Sequence, residues 1–196
     1  MKKYVIFIVM SFMSISAFCQ NAHLSFKGVP IDGTLTEYVN KMKAAGFTHI
    51  GTEDGIALMQ GDFAGYKNCT IGVQTLKPRN LVHEITVVFP SQEKWPNLEN
   101  DYLKIKEMLT TKYGAPSQSN EEFVKTPSWK DLNDDEDRME ELKEDRCEYY
   151  SIFTLDNGRI TLQLRYTGYP YYAHIQLWYT DKANEAVIEA DAMNDL

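Results

Sequence analysis

The side chains of this chain that could do chemistry are few and scattered. Its four histidines, His23, His49, His83 and His174, stand singly. His83 and Glu84 are neighbours, but consecutive side chains on a strand point to opposite faces, so they make no pair. Nucleophilic catalysis needs a base held against a nucleophile. Neither Cys69 nor Cys147 has such a base beside it, and the chain has no Gly-x-Ser-x-Gly elbow. Asp131, Asn133, Asp135 and Asp137 alternate in the manner of a calcium loop. However, Glu136 stands where that loop needs glycine, and Leu142 where a bidentate glutamate belongs. The segment reads better as a solvated acidic face. We therefore expect no catalytic residue, no metal site and no cofactor. A hydrolase would require His83 or His174 to meet carboxylates from elsewhere in the chain.

Recognition chemistry is the stronger signal. Tyrosines crowd between Tyr149 and Tyr179, together with Phe153 and Trp178. Strand alternation sorts them. Ile160, Leu162, Leu164 and Tyr166 fall on one face, with Ala173, Ile175, Leu177 and Tyr179, and should meet helices. The opposite face then carries Thr161, Gln163, Arg165, Tyr172, His174, Gln176 and Trp178, continued by Gln74, Glu84 and Thr86. Tyr, Trp and Arg dominate interface hot spots. The candidate binding residues are Trp178, Arg165, His174, Gln163, Gln176, Tyr172 and Tyr169, the last in a loop at residues 168–172. The partner expected is another protein. A glycan or small ligand stacking on Tyr169, Tyr171, Tyr172 and Trp178 is the alternative, and ordinary cross-strand pairing on a solvated sheet is the non-functional one.

Elements that could position such a face follow from periodicity and turn chemistry. Residues 23–31 alternate well enough for one strand, and Asp32-Gly33 turns the chain. Thr34 and Glu37 have capping-box spacing, Leu35, Tyr38, Val39 and Met42 recur at helical spacing, and Gly46 stops the helix. Strand-like runs follow at 55–60, 68–76 and 82–89. The order then returns. Pro96 lies near a helix start, Leu98, Tyr102, Ile105, Leu109 and Tyr113 form one stripe, and Gly114 and Pro116 close it. Strand-like runs recur at 148–155, 159–166 and 171–179, the first two joined by Asp156-Asn157-Gly158. Ile71-Gly72-Val73-Gln74 aligns with Ile160-Thr161-Leu162-Gln163, and Ile85, Val87 and Phe89 with Ile175, Leu177 and Tyr179. The expected class is α+β, a tandem α-β-β-β repeat with each helix on one face of an antiparallel sheet. The first unit spans residues 20–92 and the second 93–182. An acidic insertion at 117–146 carries a surface helix, and 183–196 is a short acidic helix or tail.

Two consecutive helix-plus-antiparallel-sheet units resemble the architecture of the β-lactamase inhibitor protein. Small outer-membrane assembly lipoproteins of the BamE type use a similar single unit. The segment Lys112-Tyr113-Gly114-Ala115-Pro116 also resembles helix endings in exported Gram-negative proteins. The resemblance is architectural, covers most of the mature chain, and assigns no functional residue.

The ends and composition set the compartment and exclude some partners. Lys2 and Lys3 precede an uncharged, mostly apolar run from Tyr4 to Phe18, and Ala17 and Cys19 stand at the small-residue positions of a signal peptide spanning residues 1–19. Serines at 11, 14 and 16 weaken a membrane anchor, so no transmembrane segment is expected in the mature chain. The protein is expected in the periplasm or the medium. Lipidation of Cys19 is the less favoured reading, because Phe18 stands before it. The chain has 20 basic and 28 acidic residues. Without Lys2 and Lys3 the balance is 18 to 28, which disfavours nucleic acid, whose phosphates call for clustered cations. Cys69 and Cys147 then form an even pair and a candidate disulfide in an oxidising compartment.

Overall fold

The computed structural model describes residues 23–76, 79–124, 132–168 and 171–194. Residues 1–19, expected as a signal peptide, with Cys19, the candidate Tyr169 and Asp131 of the acidic run lie outside them.

The fold is α+β, built from four helices, a large antiparallel sheet of eight strands and a small one of two. The expected strand at 23–31 is instead a hairpin of β1 (Ser25–Phe26) and β2 (Val29–Pro30). Lys27 and Gly28 break the run, both at positive φ (52° and 78°), as a type I′ turn requires. The turn is followed by α1 (Leu35–Ala44), whose N-terminus is closed by the Thr34–Glu37 capping box. Gly46, at φ 95°, ends it, with Phe47 N–H returning to Met42 O at 3.1 Å.

The first half continues through β3 (Thr48–Glu53), β4 (Ile56–Phe63), β5 (Tyr66–Leu76) and β6 (Leu81–Val88). The second half opens with α2 (Trp95–Tyr113) and β7 (Gln118–Phe123), then α3 (Asp135–Lys143). It continues through β8 (Cys147–Leu155), β9 (Gly158–Gly168) and β10 (Tyr171–Asp181), and α4 (Lys182–Asn194) follows at once. Each half thus holds four strands where three were expected. The insertion at 117–146 does hold a helix, α3, but it begins with the edge strand β7. Among the described residues, no helix is long and apolar enough to cross a membrane.

In the large sheet the strands lie in the order β3-β4-β5-β6-β10-β9-β8-β7, so two meanders meet at β6 and β10. That junction pairs Ile85 with Tyr179 and Val87 with Leu177, and Phe89 N–H reaches Ile175 O at 3.0 Å. All the inward residues of these strands face one layer of helices. Tyr38, Val39 and Met42 of α1 cover one side of that face, and Trp95, Leu98, Tyr102 and Ile105 of α2 the other. Burying each such side chain contributes about 1.5–3 kcal/mol.

Polar contacts fix the docking of α2. Tyr102 and Ser151 hydroxyls meet at 2.9 Å. Glu99 accepts from Trp95 Nε1 at 3.1 Å and Tyr149 OH at 2.9 Å. Trp95, Phe123 and Tyr149 form an aromatic cluster above β8. The helix α3 joins the same layer, burying Leu142 there, with Arg146 holding the buried Glu141 carboxylate by two 2.8 Å bonds.

The expected disulfide is not formed. Cys69 and Cys147 are both free and buried. They lie on β5 and β8, four strand spacings apart in one sheet, or about 19 Å at the usual interstrand distance. A disulfide needs Cα atoms within about 7 Å. Burial instead pushes the Cys69 thiol up to about 11 and the Cys147 thiol up to about 12. Both behave as small apolar core residues.

Candidate functional site

The sheet face opposite the helix layer gathers the predicted binding residues through strand register. Trp178 on β10 is flanked by Thr86 on β6 and Thr161 on β9, and Thr161 in turn by Ile152 on β8. The next row is Val88, Gln176, Gln163 and Tyr150. Arg165 faces His174 across the β9–β10 ladder, and Tyr172 faces Thr167. On the other side, Gly72 and Leu58 extend the Trp178 row across β5 and β4. The described candidates therefore share one surface. From β4 to β8 it is about 24 Å wide, at five strand spacings.

The helices leave this surface uncovered at its centre. The layer of α1, α2 and α3 lies on the other side. By contrast, α4 crosses the end of the sheet where β10 finishes and β6 and β9 begin. Asn184 Nδ2 donates there to Val82 O at 2.8 Å and Ile31 O at 3.0 Å, and Arg159 pairs with Glu185 at 3.2 Å. Arg165 is exposed, while Trp178, Gln163, Gln176 and Tyr172 are half-buried.

His174 differs from what alternation alone suggests. It is only 4% exposed, closed in by its neighbours, with the Tyr172 ring 5.3 Å away centroid to centroid. Burial holds its pKa below the usual histidine value, and the Arg165 charge adds to that effect. Among the described residues, its Nδ1 has no hydrogen-bond partner. Thr86 Oγ1, beside Trp178, is likewise buried and unpartnered. Two polar atoms with unused hydrogen-bonding capacity thus lie at the middle of this face, where buried polar groups are ordinarily satisfied.

His23 and His49 are held by partners within the chain. His23 Nδ1 lies 3.0 Å from Asp181 Oδ2 and its Nε2 3.6 Å from Asp32. Asp181 also accepts from Leu24 N–H at 2.6 Å and Asn184 N–H at 2.9 Å, so it caps α4 and anchors the N-terminal hairpin. His49 bonds Thr52 on the sheet edge at 2.9 Å. Among the described residues, no three His, Cys, Asp or Glu side chains are arranged to hold a metal ion. Asp135 and Asp137 lie in the first turn of α3, and Asp134 caps it by accepting from Glu136 N–H at 2.8 Å.

A feature invisible in the sequence is a cleft of about 940 Å³ on the helix side of the sheet. It forms where the β1–β2 turn, the end of α2, the β8–β9 turn and the start of α4 come together. No sequence signal marks it, because its walls come from segments more than 100 residues apart.

Compared with known proteins, the chain matches no family model, no curated protein and no solved structure.

Proposed function

We propose that this protein is a non-catalytic, exported binding module that holds another protein on its uncovered sheet face. The observation that carries this reading is the register that sets Trp178, Arg165, Gln163, Gln176, Tyr150 and Tyr172 on one helix-free surface. Such residues supply large contact area with polar handles.

A flat patch also favours a protein over a glycan. Tyr172 and Trp178 lie six residues apart on one strand, or about 20 Å, too far to line one sugar groove. The proposal extends to the tandem organisation, one helix before four strands, twice. A local two-fold axis at the Val87–Leu177 pair would carry Ile85 onto Ile175 and Phe89 onto Tyr179, the pairing that sequence alignment of the halves suggests. Two such units joined into one sheet resemble the β-lactamase inhibitor protein architecture. Export to the periplasm or medium rests on the leader-like residues 1–19.

The test is a pull-down from envelope and medium fractions with residues 20–196, beside a bait carrying Arg165→Ala and Trp178→Ala. A protein held by the first and lost by the second would then be purified. Each single substitution should weaken its measured affinity by about 1–3 kcal/mol, roughly ten- to a hundredfold. Equal affinity of both variants and the parent would sink the assignment.

A further inference from the structure

The cleft on the helix side of the sheet has a chemistry of its own, separate from the uncovered face. Its floor is apolar, with the buried Leu24 and Tyr179 and the partly buried Phe63, Tyr113 and Leu155. Ala183 and Ala186 of α4 form a smooth apolar wall. Three ammonium groups, Lys27, Lys112 and Lys182, come to it from the β1–β2 turn, the end of α2 and the start of α4.

Three lysines gather here in a chain that carries a net charge of −8. Four of its other cations face carboxylates: Lys67 pairs with Asp62, Lys106 with Glu121, Arg146 with Glu141 and Arg159 with Glu185. Among the described residues, none of the three cleft lysines has a carboxylate within ion-pair distance. Lys112 lies over the Tyr113 ring at 4.8 Å, and Lys182 reaches only the Asp156 carbonyl oxygen at 3.5 Å. Among the described residues, Asp156 is the single acidic one lining the cleft.

An apolar cavity with a few convergent polar groups is the usual form of a small-molecule site, and about 940 Å³ lies in the range of such sites. We infer that this cleft binds a single amphiphile, an apolar chain of fatty-acid size with an anionic head group, the chain against Leu24, Phe63, Leu155 and Tyr179 and the head among Lys27, Lys112 and Lys182. Burial of the chain supplies attraction in proportion to apolar area. The unpaired lysines supply selectivity for the sign of the head group. The site does not depend on the sheet-face reading, since it shares none of its residues.

The experiment is calorimetric titration of residues 20–196 with dodecanoate below its micelle concentration, with monododecanoyl glycerol and dodecyltrimethylammonium as neutral and cationic counterparts. Dodecanoate should bind one to one and saturably, about tenfold or more tighter than either counterpart, and more weakly as salt screens the lysines. The Lys112→Glu/Lys182→Glu double variant should lose about tenfold in dodecanoate affinity while binding the neutral compound unchanged. Ala186→Trp, which fills the cleft, should abolish binding of all three. Far-UV circular dichroism and the urea midpoint of each variant check that it folds. Equal affinity for the three head groups would overturn the inference, as would unchanged affinity in a folded Ala186→Trp variant. Binding only to vesicles of phosphatidylcholine and phosphatidylglycerol, with none to monomeric dodecanoate, would overturn it too, pointing to surface docking.

Discussion

Gly158 shows how a single hydrogen can be a structural requirement. It begins β9 and pairs with Leu155 on one side and Asp181 on the other. A Cβ here would lie 2.4 Å from Thr180 O and 3.0 Å from Leu24 Cδ2. The oxygen is backbone within the β9–β10 ladder and cannot retreat without breaking it. Gly158→Ala should therefore cost about 1–3 kcal/mol in urea unfolding, the range for overpacking. Gly72, on the uncovered face, is the contrast. A Cβ there would meet Thr86 Cβ at an ordinary 3.6 Å, so Gly72→Ala should shift stability by less than about 1 kcal/mol. A reversed order of the two would refute this account of the packing. His174 is a second residue-scale case, because burial depresses its pKa. Below the ordinary histidine value of about 6.5, the unfolded chain binds the proton that the folded chain resists. Stability should then fall as pH drops from 6.5 toward the depressed folded value, and should be indifferent to this group above 6.5. His174→Gln removes the effect, so the wild-type midpoint should decline more steeply than the variant's between pH 7.5 and 5. Parallel declines would show that this histidine is not the group responsible.

At the scale of elements, α4 is held by its first residues more than by an apolar stripe. Asp181 caps it through Asn184 N–H and also bonds Leu24 N–H and His23, while Asn184 spans Ile31 O and Val82 O. Asp181→Ala would leave the Leu24 N–H without its partner and remove the cap. We expect a loss of about 2–4 kcal/mol from the two effects together, with reduced helical signal in circular dichroism. A loss below 1 kcal/mol would mean that the helix is anchored elsewhere. The elements also mark how far the sequence could be read. Helices α1 and α2 were legible because Tyr38, Val39 and Met42, and Leu98, Tyr102, Ile105 and Leu109, repeat at the helical period and the runs end in glycine. The inner strands were legible because they alternate. The edges β3 and β7 were not, since Thr-His-Ile-Gly-Thr-Glu and Gln-Ser-Asn-Glu-Glu-Phe face solvent too widely to alternate. Their strand form comes from pairing with β4 and β8, which is a long-range fact. The candidate face was sorted correctly by alternation within β9 and β10, yet the closing-in of His174 was not foreseen. The lysine-ringed cleft was out of reach, because it exists only once distant segments meet. The suggested disulfide failed for the same reason: strand order decides which cysteines approach, and the sequence does not state it.

The whole molecule is a two-layer body with one sheet face buried by helices and the other left largely without them, and that asymmetry separates stability from recognition. Leu177 and Trp178 are adjacent on β10, the central strand beside β6, and point to opposite sides. Leu177 is fully buried among the helix-facing residues, opposite Val87 on one side and Leu162 on the other. Removing its side chain leaves a cavity in the middle of the core, so Leu177→Ala should cost about 2–5 kcal/mol of unfolding free energy. Trp178 has the larger side chain, and in a core its truncation would cost at least as much. On the uncovered face it lies between Thr86 and Thr161 with part of its surface in water, so its truncation opens onto solvent and leaves no closed cavity. Trp178→Ala should therefore cost clearly less than Leu177→Ala, about 1–2 kcal/mol at most, despite deleting more atoms. Paired urea curves of the two variants, fitted with a common m-value, decide the matter. A Trp178→Ala loss matching that of Leu177→Ala would mean that the second face is itself covered in the folded protein, and the sheet would lose its standing as a surface for a partner. The expected order keeps Trp178 available for contact at small cost to the fold, as a surface that holds a partner would require.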